Sequence, residues 1–477
     1  MKLSDYAERD ATGLAQLIAA REVSAAEVQR AGREAVEQVN PALNALVGDL
    51  FDAPLACEAD GPFRGVPFAI KDLAIHAAGV PTRLGSRLTG PGIPFPHDTE
   101  LMARFRRAGL ATLGRTATPE FGFNASTESR ANGPTRNPWD VARTAGGSSG
   151  GSAALVAARA LPVAHANDGG GSIRIPAGWC GLVGLKPTRG RTPPGPDFDE
   201  MLSGLAVEFA LTRTVRDAAA LLDAVQGAGV GDKFEIAPPR RPYAEEIGAP
   251  PGRLRVAVTT RSWSGSPVDP EHVQAAVAVG RELASLGHVV EEASPPLDWE
   301  LFLNSQLTIW TCFVAHGALT LSEALGVPLG PEVLEATTLA SVEHARRLTA
   351  IDVYNAHQLC NTARRAVAAF FQHHDVLLTP TVATPPPPIG YLDADDARLG
   401  ALGWLEKLFN VIPFTPLFNV TGQPAMSLPL GQTSAGLPIG IQLVGRYGDE
   451  ATLFQMAAQL EQVMPWQQRR PGAVVVR

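Results

Sequence analysis

Strand-like and helix-like segments alternate through the first third of the chain, and this alternation constrains the fold more than any other feature. Segment 63–75, FRGVPFAIKDLAI, is too short for an ordinary helix and predicts a buried strand. The helix DTELMARFRRAG and the strand LATLGRT follow, and then the helix GSAALVAARA and the strand LPVAHA. This order predicts an α/β fold: an α/β/α sandwich with a large twisted mixed sheet, mostly parallel, covered by helices on both faces.

No linker long enough to separate independent units interrupts the 477 residues, so the sequence predicts a single domain over 1–477. We expect N-terminal helices over 1–60 and the core of the fold over 61–200. A variable helical and loop region over 201–400 is expected to shape a ligand pocket, and residues 401–477 to form a C-terminal sheet and helix.

The composition limits the partners. A formal net charge of −8 and a pI near 5.7 argue against a nucleic-acid surface, which usually needs a basic field. The N-terminus lacks the apolar run of a signal peptide, and no stretch predicts a membrane span, so we expect a cytoplasmic protein. Its predicted partner is a small molecule, with no nucleic acid and no membrane, and its predicted state is a monomer or homodimer.

Two glycine-rich loops carry serines: AGGSSGGS at 145–152 and NDGGGS at 167–172. Neither matches a phosphate-binding motif in form or context. A helix and a strand separate them, so both are expected at one edge of the sheet, where open α/β sheets bind ligands. Turn formation accounts for one such loop, but not for two serine-bearing loops together with an isolated lysine.

That lysine is Lys71, at the end of the first predicted strand and one of only five lysines in the chain. A serine hydroxyl needs a base to become a nucleophile, and none of the ten histidines lies in a recognisable motif. Burial lowers a lysine pKa and yields a neutral amine that can act as a base. Pairing of Lys71 with Asp72, or its extension into solvent, is the equally weighted structural alternative.

With GVPFAIKD, the run AGGSSGGSAALVAARALPVAHANDGGGSIRIPAGWCGLVGLKPTRG closely resembles the amidase signature family, and the resemblance extends to EFGFNASTESRANGPTRNPWD and the C-terminal GLPIGIQLVGRYGDE. It implies that Ser172 is the nucleophile, that Ser148 relays its proton, and that Lys71 is the base. It also implies a cis peptide bond at Gly147–Ser148.

The same resemblance implies an oxyanion hole formed by backbone N–H groups of the glycine loop. Its members are Gly169, Gly170, Gly171 and Ser172. Asp168 and Arg174 are interpreted as a structural ion pair that supports this loop. The chain departs from the family pattern at Asn167 and Gly169, and the extra glycine is expected to open space for substrate.

Pocket residues are harder to predict. We expect Asn124, Cys312 and Ile412 to line the pocket, and specificity to depend on the loops around 195–235, 300–320 and 385–415. No cofactor and no metal are predicted, because no cluster of His, Cys and carboxylate side chains has the spacing of a ligand set.

The predicted function is hydrolysis of carboxamide C–N bonds in small, largely apolar amides, with possible ester or carbamate hydrolysis by the same chemistry. The form DGGGSIRIPA resembles the branch that includes hydrolases of the cyclic dimer of 6-aminohexanoate. One alternative is a glutamine-hydrolysing amidotransferase subunit for mischarged tRNA; that class has an aspartate where this chain has Ile412, seven positions before Asn419. A non-catalytic family member is a further alternative, which the presence of Lys71 and both serines disfavours.

Overall fold

The computed structural model describes residues 1–476, and its elements follow the predicted alternation. The α-helices are α1 (Leu3–Glu8), α2 (Ala11–Ala19), α3 (Ala25–Leu43), α4 (Glu100–Arg107), α5 (Gly150–Ala157), α6 (Arg174–Cys180), α7 (Val215–Val225), α8 (Tyr243–Glu246), α9 (Pro270–Ser285), α10 (Trp299–Leu325), α11 (Ala336–Ala345), α12 (Ala350–Phe370), α13 (Ala401–Val411), α14 (Pro416–Thr421) and α15 (Glu450–Val463). The strands are β1 (Pro67–Lys71), β2 (Pro81–Thr82), β3 (Ile93–Pro94), β4 (Ala111–Thr116), β5 (Glu128–Ser129), β6 (Gly133–Pro134), β7 (Arg136–Asn137), β8 (Asp140–Thr144), β9 (Val163–Asp168), β10 (Val183–Lys186), β11 (Val207–Thr212), β12 (Arg255–Val258), β13 (Val289–Glu292), β14 (Val376–Pro380), β15 (Ala425–Gln432) and β16 (Pro438–Gly445).

An eight-stranded mixed sheet forms the centre of the fold, in the order β13-β12-β14-β16-β15-β10-β11-β9. The α/β class is therefore confirmed, but the expected predominance of parallel pairs is wrong for this sheet. Only β12–β13 and β12–β14 are parallel, and the other five pairs are antiparallel. The reason is that β11 lies between β9 and β10 and runs opposite to both, while β15 and β16 form a hairpin.

Helices cover both faces of this sheet. Successive residues of a strand point to opposite faces, so each face has its own hydrophobic core and needs its own layer of helices. In β14, Val376 and Leu378 belong to one core and Leu377 to the other. Side chains of α9 and α15 complete the first core, and side chains of α10, α12 and α13 complete the second. The alternation of a strand thus gives the three-layer arrangement that the sequence predicts.

The strand that carries Lys71 lies outside the main sheet. β1 pairs in parallel with β4, with Lys71 opposite Thr116. The hydroxyls of Thr116 and Ser152 lie 2.7 Å apart, and Ser152 donates to the carbonyl of His165 at 2.6 Å. These bonds join β4, α5 and β9, so Lys71 and both glycine-rich loops are held in one region.

No helix among residues 1–476 is both long and apolar enough to cross a membrane. The proposed single-domain organisation and its internal boundaries stay predictions.

Candidate active site

The amino group of Lys71 lies among three side-chain oxygens. Its Nζ is 2.6 Å from Ser148 Oγ, 2.6 Å from Asn167 Oδ1 and 3.0 Å from Ser149 Oγ. The side chain of Lys71 is completely buried. The structural alternative for Lys71 had two forms, and neither is found. The side chain does not extend into solvent, and Asp72 pairs with Arg115 instead of Lys71, at 2.9 Å.

Burial lowers the pKa of Lys71 to about 7, although the carboxylates of Glu208 and Asp168 raise it. Removing an ammonium group from water disfavours its charged form, and among residues 1–476 no carboxylate is in direct contact with the amine to offset this effect. At neutral pH a large fraction of the amine is therefore uncharged.

Asn167 is a contact of Lys71 that sequence reasoning missed. Its Nδ2 donates to the carbonyl of Leu73 at 3.0 Å, so its Oδ1 is turned toward Lys71. The departure from the family pattern at this position is a signal in the sequence, although it does not by itself indicate a contact with the lysine.

Ser148 and Ser172 both line a cavity of about 240 Å³. The bond Gly147–Ser148 is cis, as the resemblance implies. No hydrogen bond joins the two serine hydroxyls in the described part of the chain, so the structure brings Ser148 to Lys71 directly and Ser172 only to the same cavity.

Three backbone N–H groups of the glycine loop have no hydrogen-bond partner among residues 1–476, those of Gly169, Gly170 and Ser172. The fourth predicted donor differs, because Gly171 N–H already donates to Asp168 Oδ1 at 2.8 Å. Gly171 has φ +131°, and a Cβ there would lie 2.4 Å from Thr415 Oγ1, so only glycine fits.

Asp168 and Arg174 form a fully buried bidentate pair, with Nε–Oδ2 at 2.9 Å and Nη2–Oδ1 at 2.8 Å. Asn419 Nδ2 donates to the same carboxylate at 2.8 Å. Burial by itself raises the pKa of Asp168. The charge and hydrogen bonds of Arg174 and the hydrogen bond from Asn419 outweigh burial and lower the pKa to about 2. This carboxylate holds the glycine loop through its bond to Gly171 and takes no part in the contacts of Lys71.

Two of the three expected loop regions contribute to the walls of the cavity, together with residues between 73 and 122. Residues of 195–235 and of α10 line it, but none of 385–415 does. The α10 residues follow a helical spacing that the sequence displays: Trp310, Phe313, Gly317 and Leu321. Trp310 also stacks on Phe123, with ring centroids 5.1 Å apart.

The space expected at Gly169 is not open. A Cβ at this residue would lie 2.8 Å from Leu202 Cδ2 and 3.4 Å from Trp310 Cη2. The space that a side chain at position 169 would occupy is therefore filled by Leu202 and Trp310.

The three predicted pocket residues are not on this cavity, which corrects the sequence-based expectation. The amide of Asn124 is used internally, since it donates to Leu392 O at 2.9 Å and accepts from Ser126 N–H at 3.0 Å. Cys312 lies on α10 but outside the row of residues that faces the cavity. Ile412 is buried in the second core.

A larger cavity of about 840 Å³, lined by six arginines, lies elsewhere and contains neither Lys71 nor the two serines. We assign the site to the smaller cavity, because reactive groups and unpaired backbone donors meet only there among the cavities described. The fold and the site together define an α/β enzyme with a lysine–serine centre on a cavity for a small molecule.

Comparison with known proteins agrees with this class. The family model described as Amidase matches residues 32–454, and the chain belongs to the amidase family. The 6-aminohexanoate-cyclic-dimer hydrolase of Paenarthrobacter ureafaciens is 42% identical over 479 aligned residues, which cover 97% of this chain and 96% of that protein. The enzyme is thus a hydrolase that acts on amide C–N bonds.

Solved structures give the same result. The structure of 6-aminohexanoate cyclic dimer hydrolase complexed with substrate matches with a TM-score of 0.91 and 40% identity, covering 98% of this chain and 99% of that one. A bacterial aryl acylamidase of the amidase signature family matches with a TM-score of 0.83 and 25% identity, covering 97% of each chain.

Proposed function

We propose that this enzyme hydrolyses small, largely apolar amides through an acyl-enzyme on Ser172, with Ser148 as proton relay and Lys71 as base. The observation that carries the proposal is the 2.6 Å contact between Lys71 Nζ and Ser148 Oγ, made by a buried amine with a pKa of about 7.

The partners of Lys71 support a fixed direction of proton transfer. Asn167 Oδ1 can only accept a hydrogen bond. The hydroxyl of Ser149 donates its hydrogen to the carbonyl of Asn167 at 3.2 Å, so Ser149 Oγ accepts a hydrogen bond from Lys71. These two acceptors use both hydrogens of a neutral amine. The nitrogen lone pair is then left for the hydroxyl of Ser148, which donates its proton to Lys71.

In the proposed first step, Ser172 Oγ attacks the amide carbonyl carbon. Its proton passes to Ser148 while the proton of Ser148 passes to Lys71, so the serine becomes a nucleophile as the amine becomes an ammonium. The contact between the two serines tightens when substrate is bound, as catalytic hydrogen bonds often do.

The carbonyl oxygen gains negative charge during this attack. The unpaired N–H groups of Gly169, Gly170 and Ser172 are the donors proposed for it, and Gly171 is left out because Asp168 holds its N–H. The C–N bond then breaks, and the leaving amine takes the proton back from Lys71 through Ser148. Water attacks the acyl ester by the same relay and releases the carboxylic acid.

The substrate class follows from the cavity and from the relatives. Aromatic and aliphatic side chains form most of its wall, which suits an apolar amide. Since a relative that is 42% identical is named for hydrolysis of the 6-aminohexanoate cyclic dimer, cyclic and linear amides of ω-amino acids are the first substrates to test. Esters and carbamates have the same acyl centre and are proposed as secondary substrates.

A glutamine-hydrolysing amidotransferase subunit is not favoured. The position at which that class has an aspartate is Ile412 here, and it is buried in an apolar core. A purified chain that hydrolyses glutamine faster than apolar amides, or only with partner subunits, would support that alternative.

The acyl-enzyme is tested with a fluorophosphonate probe followed by peptide mass spectrometry. We expect one label on Ser172, no label in Ser172→Ala, and competition by a good amide substrate. Ser149→Ala is the matched control, because Ser149 contacts Lys71 but is not proposed as a nucleophile, and it should still be labelled at Ser172. Full labelling of Ser172→Ala contradicts the proposed role.

A further inference from the structure

A second group of polar side chains lies on the wall of the same cavity and has no part in the proposed reaction. His76 and His97 lie on neighbouring segments of the chain and Asp197 follows 100 residues after His97, and each offers one metal-ligand atom within 4.8 Å of the others. His76 and Asp197 line the cavity. The sequence spacing predicted no such cluster.

The hydrogen bonds of His76 fix which of its nitrogens has a lone pair. Its Nδ1 lies 3.3 Å from the carbonyl oxygen of Ala74, which can only accept, so Nδ1 carries the hydrogen. Nε2 of the neutral ring is then an acceptor. It is buried, has no hydrogen-bond partner among residues 1–476, and lies 3.2 Å from Asp197 Oδ2.

This arrangement places two acceptors against each other. A lone pair and a carboxylate oxygen at 3.2 Å repel unless a proton or a metal cation lies between them, and the lack of a hydrogen bond at His76 Nε2 disfavours the proton. His97 Nε2 lies within hydrogen-bond distance of both oxygens of the same carboxylate, at 3.1 Å from Oδ1 and 3.2 Å from Oδ2. Zinc bonds of about 2.1 Å in a tetrahedral site separate neighbouring ligand atoms by about 3.4 Å, which is close to both observed distances.

The three segments are held in place by their backbones. Thr99 N–H donates to the carbonyl of His76 at 3.1 Å, and Gly79 N–H donates to the carbonyl of Phe95 at 2.8 Å. The segment before Asp197 is fixed by a bond of 3.0 Å from Glu100 N–H to the carbonyl of Gly195. The ring of His76 stacks on Phe95 with centroids 3.8 Å apart. The ligand atoms are therefore preorganised.

We propose that His76, His97 and Asp197 bind a divalent transition-metal ion, with Zn²⁺ as the best match to two imidazoles and one carboxylate. The bond from His76 Nδ1 to a backbone carbonyl is the outer contact that metal-bound histidines commonly make. Three protein ligands leave one coordination position of a tetrahedral ion for water or for an oxygen atom of a molecule in the cavity.

Equilibrium dialysis of the full chain against ZnCl₂ tests this site without any substrate, so the result does not depend on the proposed reaction. We expect one bound Zn²⁺ per chain. Loss of a direct ligand in His97→Ala or in Asp197→Asn should weaken binding by at least about 10-fold, since even outer contacts are worth about 10- to 100-fold. Both residues are partly exposed, so both variants are expected to fold.

His316→Ala is the matched control, because His316 lines the same cavity but is not in the cluster, and it should bind Zn²⁺ like the parent. Cobalt substitution gives a second readout: the parent and His316→Ala should show the visible absorption of a four-coordinate Co²⁺ site. Absence of binding in the parent would overturn the proposal. So would equal binding in the His97 and Asp197 variants, or loss of binding in His316→Ala.

Discussion

Two lysines of this chain are almost completely inaccessible to water, but their immediate contacts differ. Lys71 ends β1 and Lys186 ends β10, with exposed fractions of 0% and 1%. Burial lowers the pKa of each, for Lys186 well below its ordinary value, where the nearby charge of Arg174 acts in the same direction. By pKa alone, either amine is a candidate base.

Their neighbours separate them. Lys71 faces two serine hydroxyls and an amide oxygen beside a cavity, whereas Lys186 Nζ donates to the carbonyl of Pro187 at 2.9 Å and does not line that cavity. A neutral amine next to a hydroxyl can move a proton, but a neutral amine next to a carbonyl can only donate a hydrogen bond. The comparison teaches that burial creates the reactive form and that contacts decide its use.

The largest expected difference comes from the same substitution at both positions. Lys71→Met should lower kcat/KM for an apolar amide by roughly 10²- to 10⁴-fold, the usual contribution of a general base. Lys186→Met should leave it within about 3-fold, because the chemistry of the site is untouched. Steady-state kinetics of both purified variants, with circular dichroism as a check of folding, measures this; equal losses would remove the distinction between the two lysines.

The pH profile tests whether the important amine is Lys71. Only the neutral form accepts a proton, so kcat/KM should fall by about tenfold for each pH unit below about 7 and level off above it. Lys186→Met should keep the same limb. A parent profile that is flat between pH 5 and pH 8 contradicts a base with this pKa.

Asn167 offers a smaller and sharper test of the Lys71 surroundings. Asn167→Ala removes one acceptor and should lower kcat/KM by about tenfold, the value of a hydrogen bond worth about 1 to 1.5 kcal/mol. Asn167→Asp keeps the shape but adds a carboxylate that stabilises the ammonium, so the acidic limb should move to higher pH. An Asp variant with an unmoved limb would mean that the limb belongs to another group.

The smallest expected effect concerns stability. Burial lowers the pKa of Lys186 in the folded chain well below the value of about 10.4 that it has in the unfolded chain. Between the two values the unfolded chain binds more protons at this amine, so the stability of the parent rises with pH there. Lys186→Met lacks this pH dependence, so its gain in stability over the parent should shrink progressively as the pH rises toward 10. Urea unfolding at several pH values measures the difference, and a gain that increases with pH contradicts a buried neutral amine.

Much of the centre was predictable from local sequence. Glycine-rich loops have few uses beyond turns and close approach of ligands, and a lysine within an apolar strand is exceptional in a chain whose other basic residues are mostly arginines. These features point to Lys71 and to the two serine-bearing loops, whereas the roles of Ser148 and Ser172 follow from the resemblance to the amidase signature family and stay predictions. The Asp168–Arg174 pair was predicted from the position of both residues beside Ser172, and the structure contains it. The strand–helix alternation likewise indicated the α/β class.

The sequence by itself determined the helices and strands and the residues whose chemistry is unusual for their surroundings. It could do so because hydrophobic periodicity and glycine content act over a few neighbouring positions. The tertiary structure alone decided the order and direction of the strands, the turn of Asn167 toward Lys71, and the bond that removes Gly171 from the donors. It also decided which face of α10 lines the cavity and that His76, His97 and Asp197 meet. These outcomes depend on contacts between residues distant in the chain, which the packing of the whole fold selects.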